Sequence, residues 1–494
     1  MSPEAFQEFS AQQLIVNGEL GALRILGGKR GAGRKPEIEV RNPHTGDRLG
    51  AVPCAGEDEV RAAVDWAMAY RPKLSRHDRA QILERCAAMI RERREAIAKL
   101  ITAESGLSIH DARYEVSRVL EVLASGAREV LRDDGQIFSC DLSAQGKARK
   151  VFTQRFPLLG VIAAITPFNH PMNQVAHKVV PSIATNNRMV LKPSEKVPFS
   201  AMLLADLLYE AGLPAPMLQI LSGEPGGIVD ALLAHPDVEM LSFTGGVAIG
   251  QAIARKAGYR RLVLELGGND PLIVMDDADL EEASTLAVLG SYRNSGQRCT
   301  AIKRMLVHQA VAEEFTARLL EKTRHFGHGD PLEEANEMGT VIDANAALRI
   351  ARSVDEAIAQ GARLLHGHQR EGALYAPTVL DRVRPEMRLV REETFGPVSP
   401  VIRFQSVDEA IAIANSTAYG LSSAVCTKRL DDIDRFVHEL HVGTVNIREV
   451  PGYRLEITPF GGIKSSGLGY KEGVQEAIRS FTHLKTYSLP WGVP

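Results

Sequence analysis

A cysteine next to an arginine, in an otherwise polar segment, is the feature of this chain most able to do covalent chemistry. The segment NSGQRCTAIKR (294–304) places Cys299 directly after Arg298 and among small polar residues. A structural cysteine prefers apolar neighbours, whereas a reactive thiol needs nearby positive charge and partial exposure. The segment is therefore typical of a nucleophilic cysteine, although by itself it also fits a surface cysteine without a function.

A glycine-rich turn offers a second kind of chemistry, the binding of a phosphate. The segment FTGGVAIG (243–250) closes an apolar run and opens a helical pattern, and its glycines stand at positions 245, 246 and 250. Glycines let the backbone approach a ligand closely, and a helix N-terminus favours an anion. Since the spacing is not G-x-G-x-x-G, the turn alone fits either a nucleotide site or an ordinary turn.

Alternating strands and helices must position these motifs. Five short apolar runs predict strands whose starts are roughly 20 to 30 residues apart, the period of strand–helix–strand units in a parallel sheet. They are GVIAAI (160–165), RMVLKP (188–193), MLQILSG (217–223), EMLSFTG (239–245) and RLVLELGG (261–268). A second alternating series runs from about residue 271 to GTVNI (443–447), so the sequence predicts two α/β domains.

The remaining segments give three further expectations. GGKRGAGRKPE (27–37) predicts a flexible surface turn, and the pattern from there to about residue 135 is mainly helical. Residues 143–157 and 480–491 predict long β stretches outside the two domains. An exposed β edge usually needs a cover, so a partner subunit is expected against them.

Composition and charge weigh against several classes of function. The 494 residues include 58 basic and 61 acidic side chains, a net charge of −3, which does not favour binding to nucleic acid or membranes. The five cysteines are widely spaced and the 14 histidines show no ligand spacing, so neither a disulfide framework nor a metal site is expected. The N-terminal segment has no apolar signal core, and a cytoplasmic protein is expected.

Seven motifs in order carry a resemblance to a known family. They are ITPFNHP (165–171), LKPSE (191–195), FTGGVAIG (243–250), ELGGND (265–270), NSGQRCT (294–300), EETFGPV (392–398) and PFGGIKSSGLG (459–469). Together they resemble the aldehyde dehydrogenase superfamily over nearly the whole chain. The resemblance implies an α/β fold in three parts and a homodimer or homotetramer. The parts are a Rossmann-like NAD-binding domain (1–140 and 158–270), an α/β catalytic domain (271–455) and a small β oligomerisation arm (141–157 and 480–494).

The same resemblance assigns three catalytic roles. Cys299 matches the nucleophile, whose thiolate adds to the aldehyde carbon and forms a thiohemiacetal. Asn169 matches the donor that, with the backbone N–H of Cys299, holds the oxygen as it becomes negative. Glu265 matches the base that activates water against the thioester. Relatives that pass the acyl group to coenzyme A lack glutamate at this point, so Glu265 implies a free acid as the product.

The resemblance also implies NAD as the cofactor. Lys192 and Glu195 match residues that bind the adenosine ribose, and the Glu195 carboxylate is expected to repel the 2′-phosphate of NADP. Glu393 and Phe395 match contacts of the nicotinamide half. Many relatives have serine where this chain has Gly246, which leaves a phosphate contact there to the backbone. The other residues assigned to the cofactor site are Ile165, Thr166, Pro167, Phe168, Ser194, Pro225, Phe243, Thr244, Gly245 and Leu266.

Charged residues around the nucleophile indicate an anionic aldehyde as the substrate. Arg298 adjoins the nucleophile and His170 adjoins the oxyanion asparagine, so both are expected near the mouth of the site with Thr300. Arg454 and Arg118 are expected to converge on the same anion, because each guanidinium can give two parallel hydrogen bonds. Arg298 is also expected to help keep the thiol ionised. These segments resemble the branch of the superfamily that acts on phosphonoacetaldehyde, and its oxidation to phosphonoacetate is the expected reaction.

Other interpretations stay open at the level of the sequence. Arg298 could be solvated, His170 could be structural, Arg454 could pair with Glu456 on the surface, and Arg118 could be an ordinary helix arginine. Alternative substrates are glyceraldehyde 3-phosphate, a sulfonated aldehyde or lactaldehyde. For the chain as a whole, the alternatives are a coenzyme A-acylating dehydrogenase and a non-catalytic relative.

Overall fold

The computed structural model describes residues 37–132, 135–469 and 472–490, together with the backbone of four short strands that precede them. These strands are β1 (Ile15–Val16), β2 (Glu19–Leu20), β3 (Leu23–Arg24) and β4 (Arg30–Gly31). The glycine-rich segment 27–37 therefore lies largely outside the described residues, and its expected turn stays a prediction.

The next segment contains a β-hairpin followed by four helices. Strands β5 (Glu37–Arg41) and β6 (Arg48–Pro53) pair antiparallel. The helices are α1 (Glu57–Ala69), α2 (Arg76–Glu92), α3 (Arg94–Ser105) and α4 (Ile109–Val130). The expectation of a mainly helical pattern is thus wrong for residues 37–53. Their strand pairing depends on a turn in which the Gly46 N–H donates to the Asn42 carbonyl, and helical periodicity does not register such a turn.

A second hairpin follows α4 and lies outside the two large sheets. Its strands are β7 (Ile137–Ser139) and β8 (Lys150–Pro157), which pair antiparallel. The β stretch expected over 143–157 begins only at Lys150. The residues before it form a turn, in which the backbone N–H of Lys147 donates to the carbonyl of Cys140.

Five parallel strands form the centre of the first large sheet. They are β9 (Val161–Ile165), β10 (Met189–Lys192), β11 (Leu218–Ile220), β12 (Val238–Thr244) and β13 (Arg261–Glu265). The helices between them are α5 (Asn173–Ala184), α6 (Pro198–Glu210), α7 (Pro225–Ala234) and α8 (Val247–Lys256). The strand order is β13-β12-β9-β10-β11-β3-β4, and all five strands predicted from the apolar runs are confirmed. Every residue of β9 is buried, as expected of a strand with both faces covered.

The second large sheet contains the alternating series that follows residue 270. Its first half is β14 (Asp270–Val274), α9 (Leu280–Tyr292), β15 (Ile302–His308), α10 (Ala312–Arg324), α11 (Ala344–Ala359) and β16 (Arg363–His366). Then come the small hairpin β17 (Arg370–Glu371) and β18 (Leu374–Tyr375), β19 (Thr378–Asp381), α12 (Arg388–Arg391), β20 (Val398–Phe404), α13 (Val407–Asn415), β21 (Ser422–Cys426), α14 (Leu430–Glu439) and β22 (Thr444–Ile447). The sheet order is β16-β19-β20-β15-β14-β21-β22, which confirms a second α/β unit.

The last described elements complete a small separate sheet. Helix α15 (Val474–Ser480) leads into β23 (Thr482–Leu489), which pairs antiparallel with β8 over its whole length. The sheet β23-β8-β7 exposes apolar side chains, among them Ile137 at 63% and Leu484 at 56%. A partner subunit against this sheet stays a prediction. No helix within the described residues is both long and apolar enough to cross a membrane.

Candidate active site

Loops at the carboxyl ends of the parallel strands carry most of the motifs. Strand β9 runs into Thr166, β12 runs into the glycine turn, and β13 ends at Glu265. In an open parallel sheet these ends lie along one edge, where ligands bind. A cavity of about 180 Å³ lies there, and we name it the sheet-edge cavity. Its lining includes the predicted residues Pro167, Phe168, Asn169, Thr244, Gly245, Gly246, Glu265, Leu266, Cys299, Glu393 and Phe395.

The sheet-edge cavity has features that fit a bound dinucleotide. The hydroxyl oxygen of Thr244, which lines the cavity, and that of Thr166, which follows β9, are buried and have no hydrogen-bond partner among the described residues. Gly246 is the N-cap of α8, and a Cβ placed on it would meet nothing within 4 Å. Buried hydroxyls that lack partners and an open helix N-terminus are suited to the sugar and phosphate oxygens of a nucleotide.

Seven residues assigned to the cofactor from sequence do not line this cavity, namely Ile165, Thr166, Lys192, Ser194, Glu195, Pro225 and Phe243. Ile165 and Phe243 are buried, with 6% and 4% of their surface exposed. Phe243 explains the neighbouring Gly245, since a Cβ on that glycine would lie 2.5 Å from the Phe243 ring. Pro225 is the exposed first residue of α7, in the loop that follows β11.

The ribose residues expected from the segment LKPSE form a pair at the end of β10. Lys192 is buried, and its Nζ lies 2.6 Å from Oε2 of Glu195, whose side chain is 26% exposed. The hydroxyl oxygen of Ser194, between them in the sequence, accepts a hydrogen bond from the backbone N–H of Lys196 at 3.3 Å. The carboxylate is thus held in place by a buried ammonium and remains within reach of solvent.

Cys299 is half-buried and follows a strained turn. The one-turn helix Arg293–Gly296 precedes it, and there Asn294 and Ser295 have φ angles of 59° and 54°. Such left-handed conformations cost non-glycine residues on the order of 1–3 kcal/mol each. The turn is held from helix α4, because Oδ2 of Asp111 accepts a hydrogen bond from the backbone N–H of Asn294 at 2.6 Å.

Asn169 lies directly against the nucleophile segment. Its Nδ2 donates to the carbonyl of Gln297 at 2.9 Å, and its own carbonyl accepts from Nδ2 of Asn294 at 2.9 Å. A side-chain amide has two N–H donors, so one remains for an oxygen atom bound next to Cys299. This placement fits the oxyanion role expected from the sequence.

Glu265 is buried, with 3% of its surface exposed, and it lines the sheet-edge cavity together with Cys299. Its backbone carbonyl accepts from the N–H of Gly245 at 3.0 Å, and the residue forms a β-bridge with Gly467. Two of the glycine motifs therefore fix the strand end that carries the carboxylate. Glu265 is therefore an interior carboxylate and not a surface one.

Lys303 is a buried cation that reasoning from the sequence missed. Its Nζ donates to the carbonyls of Arg298 at 2.8 Å and Cys299 at 2.7 Å, and it lies 3.1 Å from Oε1 of Glu393. The signal in the sequence was the charged dipeptide Lys303–Arg304, which interrupts an apolar strand. In the structure both residues are only 2% exposed. Charged residues are rarely buried without partners, so such a pair predicts internal contacts.

The charges around Cys299 differ from those expected. Burial raises the pKa of the Cys299 thiol to about 11, and Lys303 is the main charge that opposes this rise, with a smaller effect from Arg454. The Nη2 of Arg298 instead donates to two carbonyls in the last turn of α9, at 3.0 and 2.6 Å. The expectation that Arg298 keeps the thiol ionised is therefore corrected, since Lys303 and Arg454 are the cations that favour the thiolate.

A second cavity, of about 60 Å³, shares Cys299 with the first, and we name it the arginine cavity. All five substrate residues expected from the sequence line it: Arg118, His170, Arg298, Thr300 and Arg454. Sequence reasoning missed several other lining residues, namely Asp111, Tyr114, Gln174, Arg293 and Phe460. The fold thus brings together residues from helix α4, the loop after β9, the nucleophile segment and the loop after β22.

One face of helix α4 supplies part of the missed set. Asp111, Tyr114, Glu115 and Arg118 stand at spacings of three, four and seven residues, which places them on one side of a helix. Asp111 is 5% exposed and Glu115 is 1% exposed. Acidic residues in helical register with Arg118 were the signal in the sequence that this face meets a polar partner rather than solvent.

Two of the four arginines in the arginine cavity have no carboxylate partner among the described residues. They are Arg298 and Arg454, and each has a buried nitrogen without an acceptor there, Nε in Arg298 and Nη1 in Arg454. The Arg454 guanidinium lies 3.8 Å from the centre of the Phe460 ring. Burial lowers the pKa of Arg298 to about 10, so the group stays charged at neutral pH.

The other two arginines are each paired with a carboxylate. Nε of Arg293 donates to Asp111 at 3.1 Å, and Nε of Arg118 donates to Glu456. The alternative in which Glu456 pairs with Arg454 at the surface is wrong, because Glu456 is 4% exposed and its partners are Arg118 and His177. The cavity therefore keeps two arginines, Arg298 and Arg454, whose nearest carboxylates, Asp111 and Glu456, act on them only at longer range than an ion pair.

His170 contributes a ring without a positive charge to the same cavity. Its Nδ1 lies 3.3 Å from Glu115, which also accepts from the backbone N–H groups of Met172 and Asn173 at 2.8 and 3.0 Å. Burial lowers the pKa of His170 despite the nearby carboxylate. At neutral pH the ring is therefore neutral and held in one orientation by its acidic partner.

Comparisons with known proteins agree with this geometry. The model of the aldehyde dehydrogenase family matches residues 30–487 of the chain. The sulfoacetaldehyde dehydrogenase of Neptuniibacter caesariensis is 41% identical over 448 residues, which cover 90% of this chain and 98% of that protein. The NAD-dependent aldehyde dehydrogenase from Sinorhizobium meliloti has a TM-score of 0.91 at 32% identity and covers 96% of both chains. The glyceraldehyde-3-phosphate dehydrogenase from Methanocaldococcus jannaschii, complexed with NADP, has a TM-score of 0.88 at 34% identity, with 92% of this chain and 100% of that one covered.

Proposed function

The chain belongs to the aldehyde dehydrogenase family, and from that premise we propose that it oxidises phosphonoacetaldehyde to phosphonoacetate with NAD. The observation that carries the proposal is the pair Arg298 and Arg454. Both lack a carboxylate partner among the described residues, and both have a buried N–H without an acceptor in the cavity that contains Cys299. A phosphonate resembles a phosphate monoester, which carries about −1.5 to −2 charge at pH 7, and it therefore balances two guanidinium groups.

The size of the arginine cavity favours a short aldehyde. Its volume of about 60 Å³ is smaller than the 180 Å³ of the sheet-edge cavity. A phosphonate bound by Arg298 and Arg454 would share this space with the carbon chain of the aldehyde. Phosphonoacetaldehyde has one methylene group between its phosphorus and its carbonyl carbon, and it fits this requirement.

The first chemical step is addition of the thiol to the aldehyde. The thiol of Cys299 releases its proton to solvent water, its sulfur bonds to the carbonyl carbon, and the carbonyl π electrons move to the oxygen. Nδ2 of Asn169 and the backbone N–H of Cys299 donate to that oxygen, since Asn169 has one N–H free of the bond to Gln297. The Lys303 ammonium, held in place by the backbone carbonyl of Cys299, favours the thiolate electrostatically.

The sheet-edge cavity would hold the cofactor. The Thr244 hydroxyl and the backbone at Gly246 would bind its sugar and phosphate oxygens, and Glu393 is expected to bind the ribose of the nicotinamide half. When bound, NAD supplies the acceptor for the hydride that leaves the thiohemiacetal carbon. Glu195 supports NAD over NADP, because its carboxylate would lie close to an added 2′-phosphate.

The second chemical step is hydrolysis of the thioester. Glu265 takes a proton from a water molecule, the water oxygen bonds to the acyl carbon, and the thiolate of Cys299 leaves. The carboxylate lies in the cavity that also contains the thiol, which is the placement this step needs. The product is a free acid, and coenzyme A takes no part.

A sulfonated aldehyde is the second candidate substrate. It is favoured by the sulfoacetaldehyde dehydrogenase that shares 41% identity with this chain. A sulfonate carries one negative charge, so it would balance only one of the two unpaired arginines. The charge of the arginine cavity is therefore the reason to place phosphonoacetaldehyde first.

Steady-state kinetics with three aldehydes test the proposal. We expect kcat/KM to fall in the order phosphonoacetaldehyde, sulfoacetaldehyde, propanal, with roughly 30- to 1,000-fold between the first and the last, the scale of a hydrogen-bonded charge pair. The assays are run with NAD and with NADP, and with and without coenzyme A. If kcat/KM is higher for sulfoacetaldehyde than for phosphonoacetaldehyde, the sulfonated aldehyde is the substrate. If it is higher for propanal, the site does not recognise an anion. Dependence of the rate on coenzyme A would refute hydrolysis of the thioester.

A further inference from the structure

Glu456 is a buried carboxylate that accepts a hydrogen bond from Arg118, one of the residues that line the arginine cavity. It does not line the cavity, and it is 4% exposed. We propose that Glu456 is a positioning residue for anion recognition, which holds Arg118 so that its free N–H groups face the bound anion. The inference rests on the proposed function, and it adds a residue that supports the recognition of the anion by the arginines.

The contact with Glu456 occupies only the Nε donor of Arg118. Oε1 accepts a hydrogen bond from Nε of Arg118, and Oε2 lies 2.6 Å from Nε2 of His177. A guanidinium has five N–H donors, four of them on its two Nη atoms. No other acceptor for Arg118 exists among the described residues, so these four donors remain for a ligand in the cavity that Arg118 lines.

The position of Arg118 depends on the negative charge of Glu456. Arg118 lies near enough to Arg298 and Arg454 for the three positive charges to repel one another. Burial opposes ionisation of Glu456, yet His177 and Arg118 hold the pKa of its carboxyl well below the usual range, so it is charged at neutral pH. Without this negative charge, Arg118 would be driven away from the other two arginines and would no longer present its Nη groups to the same anion.

His177 fixes the carboxylate and does not neutralise it. The ring is buried, its Nδ1 has no hydrogen-bond partner among the described residues, and burial lowers its pKa, so it is neutral at neutral pH. A neutral ring has one N–H, and here Nε2 donates it to Glu456. The charge of Glu456 therefore acts on Arg118, its hydrogen-bonded partner, and at longer range on Arg454, while the histidine holds the carboxyl group in one orientation.

The test compares an anionic with a neutral aldehyde in Glu456→Gln. Glutamine keeps the size and one acceptor but removes the charge. We expect kcat/KM for phosphonoacetaldehyde to fall by about 10-fold or more, mainly through a higher KM, while kcat/KM for propanal changes by less than about twofold. The inhibition constant of phosphonoacetate against propanal oxidation should rise by a similar factor. Glu456→Asp keeps the charge and is expected to recover part of the selectivity.

Epistasis with Arg118 separates positioning from a general loss of structure. If Glu456 acts through Arg118, then Arg118→Gln combined with Glu456→Gln should be no less selective than Arg118→Gln alone. Asp381→Asn is the matched control, because Asp381 is also 4% exposed and pairs with Arg403 at 3.0 Å, away from both cavities. It should leave the ratio of the two kcat/KM values unchanged.

Each outcome decides one claim. Equal losses for both aldehydes, or an unchanged ratio in Glu456→Gln, would overturn the positioning role while the proposed function stands. A higher preference for the anion in that variant would also overturn it, because the carboxylate would then oppose the anion. A wild-type protein without any preference for phosphonoacetaldehyde over propanal would overturn the proposed function and this inference with it.

Discussion

The two cavities that share Cys299 are built in different ways. The sheet-edge cavity is formed by strand ends and glycine turns, so the backbone decides most of its shape. The arginine cavity is formed by long charged side chains from four segments far apart in the chain. Under the proposed function, the first cavity is needed for the chemistry of every aldehyde and the second selects the substrate.

Backbone geometry explains why the sheet-edge cavity tolerates few substitutions. A Cβ on Gly267 would lie 2.1 Å from Glu393, and a Cβ on Gly250 would lie 2.3 Å from Leu266. Side-chain charge explains the arginine cavity, where two arginines are paired and two are not. Changes in the first cavity should therefore reduce activity on every aldehyde, whereas changes in the second should reduce activity on anions only.

The largest effect that this comparison predicts is in Cys299→Ala. No other described residue that lines both cavities can form a covalent adduct, so oxidation of phosphonoacetaldehyde and of propanal should both fall by on the order of 10⁴-fold or more. The measurement is the rate of NADH formation. Cys140→Ala, which replaces another half-buried cysteine, is the control and should keep full activity. A Cys299→Ala protein that still oxidises either aldehyde at the wild-type rate would show that Cys299 is not the nucleophile.

Glu265→Gln should have the next largest effect, again on both aldehydes. The thioester should form once per site and then persist, because no base activates the water. A stopped-flow trace should show a burst of NADH followed by steady turnover that is about 100- to 10,000-fold slower, the scale of general base catalysis. Steady turnover at the wild-type rate after the burst is the result that would exclude Glu265 as the base.

Lys303 contacts the backbone of Cys299, the nucleophile that both cavities share, and Lys303→Met should change the thiol itself. The cation favours the thiolate, so its removal raises the pKa of Cys299, and alkylation by iodoacetamide should require a higher pH. A rise of one unit would lower the alkylation rate at a fixed pH below the pKa about tenfold. Lys303→Arg keeps the charge and should shift the pH profile less. If both variants keep the wild-type profile, Lys303 does not stabilise the thiolate.

Glu195→Gln should give the smallest effect, confined to the cofactor. Removing the carboxylate removes its repulsion of a 2′-phosphate, so the ratio of the dissociation constants of NADP and NAD should fall about five- to tenfold. Fluorescence titration of the protein with each cofactor measures this ratio without turnover. A ratio that already favours NADP in the wild-type protein would contradict the assignment of the segment LKPSE.

Local sequence patterns predicted the strands and the motif loops because these depend on short-range rules. Apolar runs at a regular period predicted β9 to β13, and the glycine turns follow directly from their ends. The hairpin at residues 37–53 was missed because its pairing depends on a turn rather than on hydrophobic periodicity. Residues 143–149 were wrongly given to a strand, because a turn lies where the composition alone favoured β structure.

Long-range pairing is the part of the site that the sequence could not supply. Arg118 was expected at the anion, but its partner Glu456 is 338 positions away along the chain. Lys303 was overlooked although two buried charges in an apolar strand indicate internal partners. Arg298 was correctly expected in the substrate cavity, yet its contact with the carbonyl end of α9 became visible only in three dimensions.

Anion recognition by the two unpaired arginines is the central claim, and one measurement tests it most directly. It is the ratio of kcat/KM for phosphonoacetaldehyde to that for propanal, compared between the wild-type protein, Arg298→Met and Arg454→Met. We expect each substitution to lower this ratio roughly 30- to 1,000-fold, which corresponds to about 2–4 kcal/mol. The value of kcat/KM for propanal should change little. A ratio that stays at the wild-type value in both variants would show that these arginines do not bind an anion, and it would contradict the account.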